Sequence, residues 1–501
     1  MRLTRPLATL LACALLATVA ACGGGGRDTT ASKVTIGFTA EPPTLDLTST
    51  PAAAVPQVLL YNVYEGLVRL DDKTGQIRPL LAQRWDLSAD RRTYTFHLQP
   101  KATFSDGRPL TADDVVFSIE RVLNQVPRHP FRSQMEVVEK ASKLGAHTVQ
   151  VRLRRPSNNW LFYMTSTVGI VFDRNRMGQL ATRPAGSGPY TLGNWLRGSS
   201  ITLVRNERYW GPRAKVGSAV FRYFKDPNAM SNSMLAGDLD IMSSLQVPEL
   251  IPLYSSDTER FFTHDGISNA EVVLSMNNSR GPLRDRRVRQ AVTHAIDRFQ
   301  LINSAWSGHG TVIGTMSTPA DPWFSDRSRD YPYDPAKARE LLAEAGYEKG
   351  LTLDLKLPTL PYTIRAGQFI ESQLREVGIT ARISQLEFPA RWLSEVFTQA
   401  DYDMSIIAHV EPRDIEKYGD PDYYWRYDNP KVRELLAEAD RTTPDRQIQL
   451  MRDVGQLLSE DAVCDWLYMM PTILVATRQV RGFPENQRFL SFDVTTVERT
   501  G

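Results

Sequence analysis

Cysteine is scarce: the 501-residue chain has three, at positions 13, 22 and 464, which leaves no disulfide framework. Cys464 sits alone in the apolar stretch Val463-Cys464-Asp465-Trp466-Leu467, the setting of a core thiol more than of a nucleophile. Neither sign of charge dominates. A formal net charge of +2 argues for neither a nucleic-acid partner nor an acidic tail. Catalytic constellations are also missing. There is no His-Glu-x-x-His, no paired Cys-x-x-Cys and no Gly-Lys dipeptide for a phosphate loop. The seven histidines include no pair four residues apart, which weakens a metal or haem reading. Ala185-Gly186-Ser187-Gly188-Pro189 has the outline of a nucleophile elbow, but proline directly after the second glycine does not open a helix. The chain is therefore expected not to be an enzyme and to hold no metal or cofactor. Past the first 22 residues no apolar run approaches the about 20 residues that a bilayer span needs.

The N-terminus carries the most restrictive feature. Arg2 and Arg5 precede an apolar run from Leu7 to Ala20, then Val19-Ala20-Ala21-Cys22 and the glycines Gly23 to Gly26. The run is too short and alanine-rich for a permanent span. Its small residues before the cysteine resemble the bacterial lipobox, in which cleavage leaves the cysteine as the lipidated N-terminus. The alternative is an ordinary secretory signal with an incidental cysteine. Residues 1–22 are thus expected to be a lipoprotein signal and 23–32 a flexible leash. The mature chain is expected to be extracytoplasmic, held to the cell membrane through acyl groups on Cys22 alone. Two or three acyl chains hold far better than one.

At this length the chain exceeds one core. Strands are expected at Val34-Thr35-Ile36-Gly37-Phe38, Tyr94-Thr95-Phe96-His97-Leu98, Thr148 to Leu153 and Ser200 to Val204, from their alternation. The spacing predicts helices over Pro56 to Gly66 and Thr111 to Leu123, the second capped by Thr111 with Asp113 and Asp114 in its first turn. Longer amphipathic helices are expected over Arg284 to Asn303, Asp334 to Ala345, Ala366 to Val377 and Asn429 to Arg441. Strand-like Leu351 to Leu355 and Thr380 to Ile383 alternate with them as βαβ units require. The second half reads as α/β, and the first as antiparallel hairpins with helices appended.

Several segments together resemble the family 5 extracellular solute-binding proteins, the peptide and nickel class of receptors for ABC importers. They begin with Glu41-Pro42-Pro43-Thr44-Leu45-Asp46 and Tyr64-Glu65-Gly66-Leu67. The most specific then runs Leu81, Trp85, Asp90, Tyr94, Phe96, Leu98, Phe104, Asp106-Gly107, Pro109-Leu110, Thr111-Ala112, Asp114-Val115. Gly186-Ser187-Gly188-Pro189-Tyr190, Arg205-Asn206 with Tyr209-Trp210, Gly237-Asp238-Leu239-Asp240, Asn277-Asn278, Pro282 to Ala291, Ala295-Ile296-Asp297-Arg298 and Asp334 to Gly346 follow in order. Most have a plain structural reading as turns or core positions. They mark the fold more than the ligand.

The resemblance implies an α/β, two-lobed periplasmic-binding-protein-like fold of the hinge-closing class II kind, with an extra small α+β domain on the first lobe. Carried over, the first lobe would combine 33–55, 186–270 and 479–501, the inserted domain would span 56–185, and the second lobe 271–478. It implies a receptor that closes on a short peptide and delivers it to an ABC permease and ATPase complex. Nickel chelate, haem, a sugar or a small cationic metabolite are the alternative cargoes, and a ligand-sensing lipoprotein or an extracellular hydrolase the alternative roles. The chain is expected to be a monomer, to bind no nucleic acid and to touch the membrane only through its anchor. In peptide-binding relatives an acidic side chain of the second lobe pairs with the ligand's amino terminus. Here Glu411 and Asp414 are the candidates, after a strand over Asp403 to Ile407. Neither falls on the family's usual aspartate position, nearest Pro412, and both could instead pair with Arg413 and Lys417 in a solvated loop. His409 and Phe388 stand where the oligopeptide-binding branch has tryptophans, and Phe131 matches a pocket tyrosine. Tyr424 and Trp425 would either line the cleft or pack the lobe. Ala53 would lie on the first-lobe wall and Ser275 near the hinge side.

Overall fold

The computed structural model describes residues 33–125, 129–266 and 268–500. Signal, leash and Cys22 lie outside the described residues. Three sheets organise the chain. The first has seven strands in the order Phe261–Gly266, Thr472–Thr477, Ile241–Met242, Lys33–Phe38, Ser218–Tyr223, Ser200–Arg205, Tyr190–Leu196. The second has five, in the order Ile379–Leu386, Leu351–Pro358, Met404–His409, Glu271–Met276, Cys464–Met469. The third is a four-stranded antiparallel sheet of Ala82–Leu87, Thr93–Leu98, Thr148–Leu153 and Val138–Gly145. The result is a two-lobed α/β protein with a smaller α+β domain attached to the first lobe. No described helix is long and apolar enough to cross a membrane.

Core membership corrects the expected boundaries. Thr472–Thr477 pairs with Phe261–Gly266 in the first lobe, so the second-lobe segment ends before 472 and not at 478. Val55, Val58, Leu59, Leu60 and Tyr64 pack in the first-lobe core with Ile36 and Phe221, whereas the inserted domain's core runs from Leu67 to Val171.

Local chemistry explains most elements and some surprises. Thr93–Leu98 buries Tyr94, Phe96 and Leu98, the outcome of strict alternation. Thr111 and Asp114 close a capping box on helix Ala112–Glu120. The helix expected over Pro56 to Gly66 is only Ala54–Leu59, because Tyr61 takes a left-handed backbone, φ 64°, that ends it. The helix expected over Arg284 to Asn303 is two, Arg286–His294 and Arg298–Trp306, the second restarted by Asp297, whose side chain accepts from the Gln300 N–H. In the second lobe Leu351–Pro358, helix Pro361–Glu376 and Ile379–Leu386 form the parallel βαβ unit. Glu271–Met276 is buried along its length. Val272, Leu274 and Met276 face the helical core, while Val273 faces an aromatic one.

The family-like segments of the first half converge on one carboxylate. Glu65 accepts hydrogen bonds from Ser187 Oγ at 2.8 Å, Tyr209 OH at 2.7 Å and Trp210 Nε1 at 3.0 Å. This ties the inserted domain to the first lobe. Complete burial lifts the Glu65 carboxyl to about 7 against the opposing pull of those three donors. The two glycines beside Ser187 are sterically required: a Cβ on Gly186 would lie 2.1 Å from Val63 O, and one on Gly188 2.5 Å from Asn62 O.

Candidate ligand cleft

The two lobes are joined by two adjacent crossings, one leading into Glu271–Met276 and one leaving Cys464–Met469. They are bonded to each other. Met470 N donates to Ala270 O at 2.8 Å and Ser268 Oγ to Met470 O at 3.3 Å. Paired crossings of this kind confine relative motion to rotation about one axis.

Facing this hinge, strand Met404–His409 delivers a loop at its carboxyl end, where an α/β lobe presents its cleft. Glu411 and Pro412 of that loop meet Phe131, Gln134, Phe162 and Tyr163 of the inserted domain, with Leu60, Leu70, Phe489 and Leu490 closing the space. The cavity is about 50 Å³, room for a few waters, so a larger solute enters only when the lobes part. Among the described residues Glu411 has no hydrogen-bond partner, and burial, reinforced by the Asp414 charge and opposed by Lys417, pushes its carboxyl well above the usual carboxylate range. Gln134 Oε1 is likewise buried without a partner.

Asp414 is placed differently from Glu411. Its carboxylate meets His409 Nδ1 at 3.1 Å, His409 Nε2 meets Tyr424 OH at 2.9 Å, and Tyr424 OH meets Ser275 Oγ at 2.5 Å. Four of the candidate residues thus form one buried chain that braces the loop from beneath, with both histidine nitrogens engaged. Tyr424 and Trp425 belong to the aromatic core of the second lobe with Tyr402, Tyr418 and Trp466. Phe388 is 36% exposed and packs at a tilt beside Trp392, 6.1 Å between centroids. Ala53 precedes the short helix Ala54–Leu59 and is half-buried. Neither lines the cavity. Of the nine candidates, the structure brings Phe131 and Glu411 together across the cleft.

The solvated-loop reading holds in part: the Lys417 charge acts on Glu411, but Asp414 is buried against His409. Arg413, held in a left-handed backbone at φ 65°, turns away from both. It donates to Asn159 Oδ1 at 2.7 Å and lies 3.9 Å from the Phe162 ring centroid, a cation–π contact across the lobes.

Further contacts bridge the same divide. Asp440, at the end of helix Pro430–Arg441, accepts from Ser157 Oγ at 2.7 Å and Asn159 N at 3.1 Å, and pairs with Arg155. Its carbonyl accepts from Asn158 N at 2.7 Å, and Tyr163 OH donates to Glu416. Sequence reasoning missed Phe162, Tyr163 and Phe489. The first two sit in a four-residue helix, Trp160–Tyr163, too short for a period to show, and Phe489 lies in a segment without regular structure.

Comparisons with known proteins agree with this architecture. The model of the bacterial extracellular solute-binding proteins, family 5 (middle region) matches residues 76–412. A dipeptide-binding protein of Escherichia coli K12 is 28% identical over 372 residues, covering 68% of each chain. Two solved structures superpose closely. One is a dipeptide-binding protein of Pseudoalteromonas sp. SM9913 with Met-Leu, TM-score 0.84 at 18% identity, covering 93% of this chain and 100% of that one. The other is NikZ of Campylobacter jejuni with Ni(L-His), TM-score 0.82 at 20% identity, covering 94% and 100%. The matched span, the ordered segments and the two-lobed fold place this chain among the family 5 bacterial extracellular solute-binding proteins.

Proposed function

We propose that the chain captures short peptides between its lobes and hands them, chemically unchanged, to an ABC importer. The observation that carries this reading is Glu411: a carboxylate without a hydrogen-bond partner among the described residues, lining a cavity shared by all three structural units. A peptide ammonium is the group such a carboxylate lacks, and pairing there returns the interaction that burial removes. Phe131 and Phe162 offer apolar walls that suit many side chains without demanding one. The chain Asp414–His409–Tyr424–Ser275 acts by fixing the loop, with Trp425 packed behind it and Phe388 and Ala53 at the periphery. The lobes are two bodies, one built on the seven-stranded sheet with the inserted domain and the other on the five-stranded sheet. Closure between them selects the form that a permease recognises. The similarity to a dipeptide-binding protein supports this cargo.

The likeness in fold to a Ni(L-His) complex favours a second reading, a metal chelate. His409 counts against it as a ligand, since both its nitrogens are hydrogen-bonded, and the described residues hold no cluster of three or more metal-ligating side chains. In this account Cys22 carries the lipid that keeps the receptor at the outer face of the membrane, and the protein acts as a monomer. Thermal unfolding with a panel of peptides of two to six residues, against nickel–histidine, tests the cargo. Peptides are expected to raise Tm by mass action. A shift with the chelate and none with any peptide overturns the reading.

A further inference from the structure

Gln134 sits on the short helix Arg132–Met135 of the inserted domain. Its surroundings hold it in place. Met135 is fully buried in that domain's core, Phe131 packs against the same core, and Gln134 N donates to Phe131 O at 3.1 Å. The residue lines the cavity together with Glu411. Its amide oxygen, Oε1, is shut off from solvent and has no hydrogen-bond partner among the described residues. Leaving a buried amide oxygen unpaired is destabilising, and native interiors pair nearly all of them.

The neighbouring hydroxyls are committed elsewhere. Thr165 Oγ1 donates to Phe162 O and Ser166 Oγ to Tyr163 O, both at 2.7 Å, while Tyr163 OH donates to Glu416. No arginine, lysine or histidine is among the residues that line the cavity. Two hydrogen-bond acceptors therefore stand open there on different bodies: the Glu411 carboxyl on the second lobe and Gln134 Oε1 on the inserted domain. With the lobes together the cavity is about 50 Å³, so one group of ammonium size reaches from wall to wall.

We infer that Gln134 is a specificity-determining residue, its Oε1 accepting a second N–H from the primary ammonium that Glu411 meets from the other lobe. The inference rests on the peptide reading and deepens it: cargo is sorted by the number of N–H donors on its terminus as well as by charge. It also ties recognition to closure. A solute moves the balance between open and shut forms only by its difference in affinity for them. A group gripped from both bodies at once has that difference built in.

The test titrates two peptides of two to four residues by calorimetry into the parent, Gln134→Met and Gln134→Glu. They differ only at the amino terminus, a primary ammonium in one and its N,N-dimethyl form in the other, which keeps the charge but only one N–H. Butan-1-amine serves as a non-peptide probe. The parent is expected to bind the primary form about tenfold or more tightly. Gln134→Met should weaken that form about tenfold and leave the dimethyl form within about threefold of the parent. Gln134→Glu, which keeps an acceptor, should hold the primary form within about threefold of the parent. The ligand-free melting temperature of Gln134→Met should equal or exceed the parent's, because the variant removes an unpaired buried acceptor. Equal affinities of the two forms in the parent overturn the inference while leaving the peptide reading intact. A preference for the primary form that survives Gln134→Met overturns the assignment to Gln134. Binding of butan-1-amine but of no peptide, lost in Gln134→Met, upholds the ammonium site and overturns the peptide reading.

Discussion

Asp440→Ala removes the central acceptor of the contacts that join the inserted domain to the second lobe. It deletes hydrogen bonds from Ser157 Oγ and Asn159 N and the pair with Arg155. Hydrogen bonds to a charged acceptor contribute about 1.5–3 kcal/mol each, but Arg155 is partly exposed and its pair is discounted to about 0–1 kcal/mol. The bond from Asn158 N to the Asp440 carbonyl survives, and the low end of the range for the two lost bonds puts at least about 3 kcal/mol of closed-state stability at stake. If the contact exists only when the lobes are shut, this loss falls on binding: Kd for the best peptide rises about 100-fold. Most of that rise should appear in the dissociation rate, read by stopped-flow fluorescence. Tm of the ligand-free variant should stay within about 2 °C of the parent, since the open form never made the contact. A Kd within about threefold of the parent, together with a clear fall in ligand-free Tm, would show a permanent brace and refute the reasoning.

Other expectations follow from single residues. Glu411→Gln should weaken peptides with a free amino terminus about tenfold to 100-fold and leave amino-acetylated ones unaffected; equal losses for both kinds would remove Glu411 from amine recognition. Glu65→Ala strands three buried donors and should cost about 3–5 kcal/mol in urea unfolding, whereas a loss below about 1 kcal/mol would contradict its role as a junction. The same carboxyl makes stability depend on pH. Its folded value, about 7, exceeds the unfolded one, so its contribution is present below about 4.5 and is lost as pH rises through about 7. Glu65→Gln should flatten the fall in Tm between pH 5 and 8, and an unchanged slope would assign that fall elsewhere. Cys22→Ala should release the protein into the medium or leave it unprocessed; normal lipid labelling of that variant would refute the anchor.

What the sequence made legible was whatever depends on near neighbours. Alternation gave Thr93–Leu98, and the capping pair Thr111 and Asp114 placed helix Ala112–Glu120. Apolar periodicity overran at Ala295-Ile296-Asp297, because both helices flanking that break bury their faces in one core and so keep a common stripe. Sheet membership of Thr472–Thr477 was hidden, since its partner Phe261–Gly266 is about 200 positions away and the strand is buried on both faces. At the cleft, residue type pointed to Glu411 and Phe131. It could not separate Glu411, without a hydrogen-bond partner among the described residues, from Asp414, which His409 occupies. That distinction arises from a hydrogen-bond chain running through Tyr424 to Ser275, about 140 positions upstream. Phe489 carried no signal, because it lies in a segment without regular structure and packs against Tyr61, more than 400 positions away.

Closure on a solute is tested most directly by the distance between the lobes. Leu196, on the first lobe, and Ile383, on the second, are both exposed, and the native Cys464 is buried with its thiol pushed up to about 12, too inert to compete for label. Double electron–electron resonance on the Leu196→Cys, Ile383→Cys variant should give a longer, broader distance distribution without peptide and a shorter, narrower one at saturation, with the peptide recovered intact. The same distribution in both states, from a protein that calorimetry shows to bind the peptide, would contradict a receptor that works by closing.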